Sequence, residues 1–349
     1  MNNYVASLLI EQVFSANLKN IPPSRLLDNL RRVNMDADLV GNPLFLSLAA
    51  QLYIENQRDF PSTQSRILRE SILLLLKRKP ADILEKFSDR GGVENLFPAL
   101  ESTAFEIQRS ADVLSFKISS KELTGIICDT VSYCTRDELY NFLASTTGLI
   151  SNAGENLYEF SHRRFQEYLC ASYLFNRKTA IEAAVLIKNG LARKKRIWSE
   201  VAILYLEMMC DHDTTERIVT TLRQLVADNE GGWVAWYIGK IIESKNYQLI
   251  DQSRSLLTKN DMEQLRNLFL SAFLDIDSLP VSERAFCGKI LGYLGDPRQG
   301  VSLNEQGMPD IAWCGMKAGQ YRIGASEEIQ KTVKNQVYGN NKWGTKIVF

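Results

Sequence analysis

Along much of this chain apolar residues return at the spacing of one helix face. Leu26, Leu27, Leu30 and Val33 form one set, Leu44, Leu46, Leu48 and Leu52 another, and together they predict a small helical bundle up to Arg78. Ile67, Leu68 and the unbroken run Ile72 to Leu76 crowd a single helix, which must therefore be covered on more than one side. Lys79-Pro80 stops it, and Gly91-Gly92 marks a further break before a helix over Asn95 to Arg109 carrying Leu96, Leu100, Ala104 and Ile107. A domain boundary near residue 80 is expected.

Two capping boxes follow, Ser119-x-x-Glu122 and Thr135-x-x-Glu138. Each supplies acceptors for the unpaired amides of a helix start, so short helices are predicted from about 120 and 136. Leu149 to Ser151 and Leu157 to Phe160 flank Asn152-Ala-Gly-Glu-Asn156, the chemistry of one hairpin with a longer loop. Helices closed by one hairpin suggest a winged helix. Beyond it, Phe165, Tyr168, Leu169 and Ser172 make one packed face of a helix over about Arg163 to Asn176.

From about 180 to 300 helix follows helix without a clean repeat, punctuated at Gly190, Asp211 to Asp213, Gly231-Gly232 and Pro280. Irregular stacked helical pairs are expected there. After Pro297, glycines at 300, 307, 315, 319 and 324 interrupt short stretches such as Gln320 to Ile323, which predict strand and turn. The expected fold is thus mainly α, with a short α+β segment at the end.

Charge adds little direction. Lys plus Arg and Asp plus Glu both number 41 in 349 residues, so no net field draws the chain toward nucleic acid or an anionic membrane. Six cysteines at 128, 134, 170, 210, 287 and 314 form no CxxC pair, and reduced thiols are expected. No apolar stretch approaches the ~20 residues of a membrane span and the start lacks signal-peptide features. A cytoplasmic location is the expectation.

Several motifs have a plain structural reading. Gly239-Lys240 and Gly288-Lys289 are not P-loops: Val234 and Glu283 stand where glycine is needed, and isoleucine follows each lysine. With only His162 and His212, and neither HExxH nor paired CxxC, no metal site and no catalytic residue are assigned. Trp198, Trp233 and Trp236 lie in helical stretches and are assigned to the core. Arg193-Lys-Lys-Arg196 reads as a solvated bend. Pro43, after Gly41-Asn42, suits the first turn of a helix, where its missing amide costs nothing.

Ser161-His162-Arg163-Arg164 places an N-cap candidate, an imidazole and two guanidiniums at a helix start. The helix dipole disfavours cations there unless an anion is bound, so a phosphate site is physically sensible. The alternative has the arginines reaching solvent or pairing with Glu159 and Glu167.

Two resemblances bear on function. GNPLFLSLAA, Gly41 to Ala50, followed by LRESILLLLKR, Leu68 to Arg78, resembles the proline-containing helical domain of NACHT ATPases, members of the STAND class of signalling NTPases. Gly148-Leu149-Ile150 with YEFSHRRFQEYL, Tyr158 to Leu169, is similar to that family's winged-helix hallmark. The resemblance covers about residues 10 to 177 and implies that Pro43 and His162 contact bound ADP and lock an inactive state. It does not bring the Walker A and Walker B segments, so hydrolysis is not carried over.

RAFCGKILGYLGDPR, Arg284 to Arg298, resembles the linker before formylglycine-generating (sulfatase-modifying) enzyme-like domains. Trp313, Ala318-Gly319, Tyr321 and Ile323-Gly324 fit that domain's opening strands, although Lys317 replaces the usual proline. Its catalytic cysteines are not reached, and Cys314 is not one of them.

The resulting expectation has four parts. Residues 1–80 form a NACHT-associated helical domain, 81–177 a winged helix, 178–300 a helical sensor or linker, and 301–349 a truncated enzyme-like segment. It is a regulatory fragment, not an enzyme, and takes ADP or ATP only with a nucleotide-binding domain supplied in trans. Its partners are that missing domain or further copies of itself, without a membrane. The resemblance associates such proteins with bacterial phage defence. A rival reading makes residues 301–349 part of a formylglycine-generating-like enzyme completed by a downstream polypeptide. DNA binding is disfavoured, because RDELYNFLASTT, Arg136 to Thr147, carries one basic residue against two acidic ones.

Overall fold

The computed structural model describes residues 26, 28–30, 42–55, 60–77, 95–111, 116–130, 135–212, 215–227, 232–244, 257–298, 300–301, 306–309 and 315. These are mostly helical, with one small antiparallel sheet. The chain divides into two compact units, Met1–Pro297 and Arg298–Phe349, and every element below belongs to the first. The breaks read at Lys79-Pro80 and Gly91-Gly92 and the strand read at 320–323 lie outside the described residues.

Helix α1, Pro43–Glu55, packs on α2, Gln64–Lys77. All of Ile72 to Leu76 in α2 are buried, because α1 and two later helices cover it from different directions. Fully burying one such side chain is worth about 1.5–3 kcal/mol, which is why an apolar run without a polar side is tolerated. Helix α3, Phe97–Ser110, has Pro98 in its first turn, where a missing amide is harmless.

The sheet is built from β1, Ile118–Ser119, β2, Ile150–Gly154, and β3, Leu157–Phe160, in the order β1-β3-β2. Ile118 stands opposite Tyr158, and Ile150 opposite Phe160. The predicted five-residue loop is corrected: β2 continues to Gly154, which pairs with Leu157 across an irregularity after Asn152. The turn tightens because Gly154 (φ 137°) and Asn156 (φ 57°) take positive backbone angles, which glycine and asparagine tolerate. The third strand, β1, was not expected from a single hairpin.

Both capping boxes form. Glu122 and Ser119 bond reciprocally at the start of α4, Ser120–Thr130, and Thr135 with Glu138 does the same for α5, Arg136–Asn141. The chain then widens into a π-helical turn, Phe142–Thr146, and leaves it through Gly148 at φ 65°.

Helix α6, Arg163–Arg177, packs against α3 and against the long α7, Ala180–Asp211. Residues 180–211 are helical throughout, but the axis turns sharply between Gly190 and Trp198, in agreement with the punctuation read at Gly190 and the bend read at 193–196. A Cβ at position 190 would lie 2.2 Å from Trp198 Cδ2, although eight residues of straight helix rise ~12 Å; the chain folds back between them, and the glycine makes room for the buried indole. The side chains of 193–196 are outside the described set.

The remaining helices are α8, Thr215–Val226, α9, Gly232–Ser244, α10, Lys259–Leu274, and α11, Val281–Leu294. The two Gly-Lys pairs explain their packing. A Cβ on Gly239 would meet Phe286 at 2.8 Å, and one on Gly288 would meet Phe273 at 2.8 Å, so each glycine admits an aromatic ring. Lys240 and Lys289 converge on Glu243, at 3.2 and 2.9 Å. Trp198 is buried, while Trp233 and Trp236 are partly buried, packed against the core and edge to face with each other. One hydrophobic core extends from Leu26 to Leu294.

Candidate functional site at the start of α6

The β3 strand delivers the chain directly to α6, and the residue at the junction is His162. Its backbone is extended (φ −139°, ψ 129°), and its Nδ1 accepts the Arg164 amide at 3.2 Å. His162 is therefore the N-cap, correcting the assignment of that role to Ser161. The serine is spent on the sheet: its amide and hydroxyl both donate to the Leu149 carbonyl, at 3.0 and 3.2 Å. Strand geometry claims Ser161 before the helix can use it.

Half-buried His162 rests edge-on against Phe165, with centroids 5.9 Å apart. Burial, and secondarily the Arg164 charge, hold its pKa below the usual histidine value. The imidazole is consequently neutral near pH 7, and with Nδ1 accepting, the proton resides on Nε2. That N–H is a donor at a helix start, where the dipole also favours an acceptor of negative charge.

The two arginines are engaged with the chain's own carboxylates. Arg163 Nε donates to Glu167 Oε1 at 2.8 Å, and its guanidinium lies 4.1 Å from the Phe116 ring centroid. Arg164 contacts Glu167 Oε2 at 3.2 Å and ion-pairs with Glu200 of α7. Pairing with Glu167 is as anticipated; Glu159 makes no ion pair among the described residues, and Glu200 was not foreseen. Burial lifts the Glu167 pKa to about 7, with Glu200 adding to the rise, while Arg164 and Arg163 oppose it. An incoming anion must compete with these carboxylates for the guanidiniums.

What fixes α6 is the buried FQEYL segment, in which Phe165 to Leu169 are all at most 4% exposed. Gln166 donates to Gln108 of α3 at 2.9 Å, and Gln108 to the Ile197 carbonyl of α7 at 2.7 Å. An interior amide chain of this kind is specific because an unpaired member would be costly.

Pro43 is the exposed first residue of α1. Asn42 caps that helix, its Oδ1 accepting from the Leu44 and Phe45 amides at 3.0 and 3.2 Å. This accounts for the Asn-Pro pair as a helix start. No hydrogen bond, ion pair or ring contact joins Pro43 to His162 among the described residues, and the two sit on separate elements. Among the described residues no group of His, Cys, Asp and Glu is placed to hold a metal ion, and no helix is long and apolar enough to cross a membrane.

Comparison with protein-family models, curated proteins and solved structures found no match to this chain.

Proposed function

We propose that this chain is a regulatory piece of a NACHT-type signalling ATPase that holds ADP in a nucleotide-binding domain supplied by another polypeptide. Residues 1–80 and a winged helix over 81–177 would close on the nucleotide, and 178–300 would relay its state. The observation that carries the reading is His162: a neutral imidazole whose Nδ1 is committed to capping α6, so that Nε2–H remains as the donor. The three-stranded sheet leading into α6 supports the winged-helix assignment. Catalysis is not part of the proposal, since no GxxxxGK[ST] segment occurs in this sequence. The enzyme-like reading of 301–349 rests on residues almost wholly outside the described set.

The test is ADP release from a separately expressed P-loop domain, with and without this chain. The chain should slow release, and His162→Asn should abolish that effect. Asparagine retains a cap acceptor for the Arg164 amide but lacks the Nε2 donor, so loss of retention with an unchanged melting temperature separates nucleotide contact from capping. Release that is indifferent to the chain, or ATP turnover by the chain alone that vanishes on His162→Ala, would overturn the reading.

A further inference from the structure

A small cavity opens where α4, α5 and the π-helical turn meet β2 and β3. Its volume is about 110 Å³, well above the ~15 Å³ that admits one water and below the ~300 Å³ at which drug-sized sites begin, so its occupant is small. Leu123 of α4, Leu143 of the π-helical turn and Ile150 of β2, all buried, supply the apolar lining. The polar lining comes from Asp137 in the first turn of α5 and the phenols of Tyr140 and Tyr158, with the Ser120 and Thr124 hydroxyls beside them. None of these residues belongs to the α6 start.

The walls are fixed by the fold. The capping box of Thr135 and Glu138 sets the start of α5. The Leu143 carbonyl accepts the Thr147 hydroxyl at 2.8 Å and the Leu149 amide at 3.0 Å, which pins the π-helical turn; turns of this rare type recur at functional sites. Tyr158 stands between Ile118 and Asn152 in the sheet, and the Tyr140 ring meets it at 63° with centroids 5.0 Å apart. Tyr140 is also hydrogen-bonded to Tyr158, and that bond, with burial second, raises its pKa. The Tyr140 phenol is therefore neutral near pH 7. Preformed walls lower the ordering cost of binding.

Asp137 carries the one formal charge among the described lining residues. Its exposed carboxylate makes no hydrogen bond or ion pair among the described residues, and capping of α5 does not need it, because Thr135 and Glu138 fill that role. An anion would meet repulsion here. An ammonium would find in Asp137 a charge-assisted acceptor, in the phenol and hydroxyl oxygens further acceptors, and in the tyrosine rings the attraction that aromatic faces exert on organic cations. The aliphatic side chains match a short hydrocarbon body. We propose that this cavity binds a small free alkylammonium ion, its nitrogen held by Asp137 beside Tyr140 and Tyr158 and its hydrocarbon body set against Leu123, Leu143 and Ile150.

Saturation-transfer NMR titration of the full chain with n-butylammonium at pH 7 tests this, alongside n-butanol as a neutral match of the same shape. Asp137→Asn removes the charge and Thr124→Leu narrows the cavity at a half-buried position; circular dichroism and melting temperature check that both variants fold. The wild-type protein should bind n-butylammonium about 10-fold or more tightly than n-butanol, Asp137→Asn should lose about that factor, and Thr124→Leu should abolish binding. Asp277→Asn, which removes an exposed acid elsewhere on the chain, should leave binding unchanged. Nα-acetyl-lysine N-methylamide, which carries the same ammonium on a peptide backbone, should bind no more tightly than n-butylammonium. Absence of wild-type binding, equal affinity for n-butanol, or indifference to Asp137→Asn or Thr124→Leu would overturn the proposal. So would an equal loss in Asp277→Asn, which would reduce the effect to general attraction of cations, or tighter binding of the lysine amide, which would replace the free amine by a protein lysine.

Discussion

The most direct test of the α6 start is the pH dependence of stability in Glu167→Gln. Glu167 is 2% exposed, and burial moves its pKa from 4.5 to about 7 in spite of Arg164 and Arg163. A carboxyl with a raised native pKa stabilises the fold fully below its unfolded value, and that contribution is lost as pH rises to the native value. Each unit between the two is worth about 1.4 kcal/mol, so the wild-type protein should lose about 3 kcal/mol between pH 4.5 and 7 from this residue. Glutamine imitates the protonated form at every pH, and Arg164 keeps Glu200.

Denaturant titrations of both proteins at pH 5, 6, 7 and 8 give the comparison. The free-energy difference should grow in favour of the variant as pH rises and level off above 7. Other groups titrate in the same window: depression of the His162 pKa favours the fold as pH rises toward 6.5, and the raised Glu101 opposes it. Both are present in each protein and cancel in the difference. A difference that is constant across the series would refute the reasoning, because Glu167 would then be ionised in native and unfolded states alike.

Two further outcomes are expected. Gly190→Ala forces a methyl to within 2.2 Å of the buried Trp198 ring, so about 1–3 kcal/mol of overpacking should exceed the up to ~1 kcal/mol gained in helix propensity; an unchanged or higher melting temperature would contradict this. Asp261→Asn removes the carboxylate that caps α10 through Thr258 and accepts from Arg223 at 2.9 and 2.7 Å, and should cost about 1–2 kcal/mol in chemical unfolding at pH 7. Because the Arg223 hydrogen bond leads in holding the Asp261 pKa below 3.8, this difference should be present above that pH and shrink on acidification below it; no difference at pH 7 would sink the assignment.

Local chemistry was readable in the sequence where its causes are local. Thr135 and Glu138 are three residues apart, and a capping box needs nothing more. Ile72 to Leu76 announced cover from several sides. Other features depended on distant partners. Strand β1 is two residues long and exists because β3 lies beside it, so no periodicity could reveal it. Gly190 read correctly as punctuation in the helical pattern, but spacing could not show that it makes room for the ring of Trp198, eight positions later. Ser161 was the better N-cap by type, but the Leu149 carbonyl, twelve residues earlier, claimed it and left the cap to His162. Glu200 looked like an ordinary helix glutamate until the fold set it against Arg164.

One face of α7 links several of these long-range contacts. Glu200, Glu207 and Asp211 are seven and four residues apart, the spacing that returns to the same side of a helix. Glu200 meets Arg164 near the start of α6. Glu207 accepts the Gln64 and Ser65 amides at 3.2 and 2.8 Å at the start of α2, and Asp211 accepts from Thr63 and Ser65. Helix starts attract negative charge, and here one acidic stripe fixes α2 and reaches the first turn of α6. These contacts span up to 148 residues of sequence. The stripe therefore ties the starts of two helices to α7: it shares Arg164 with Glu167 at α6 and engages Arg66 at α2.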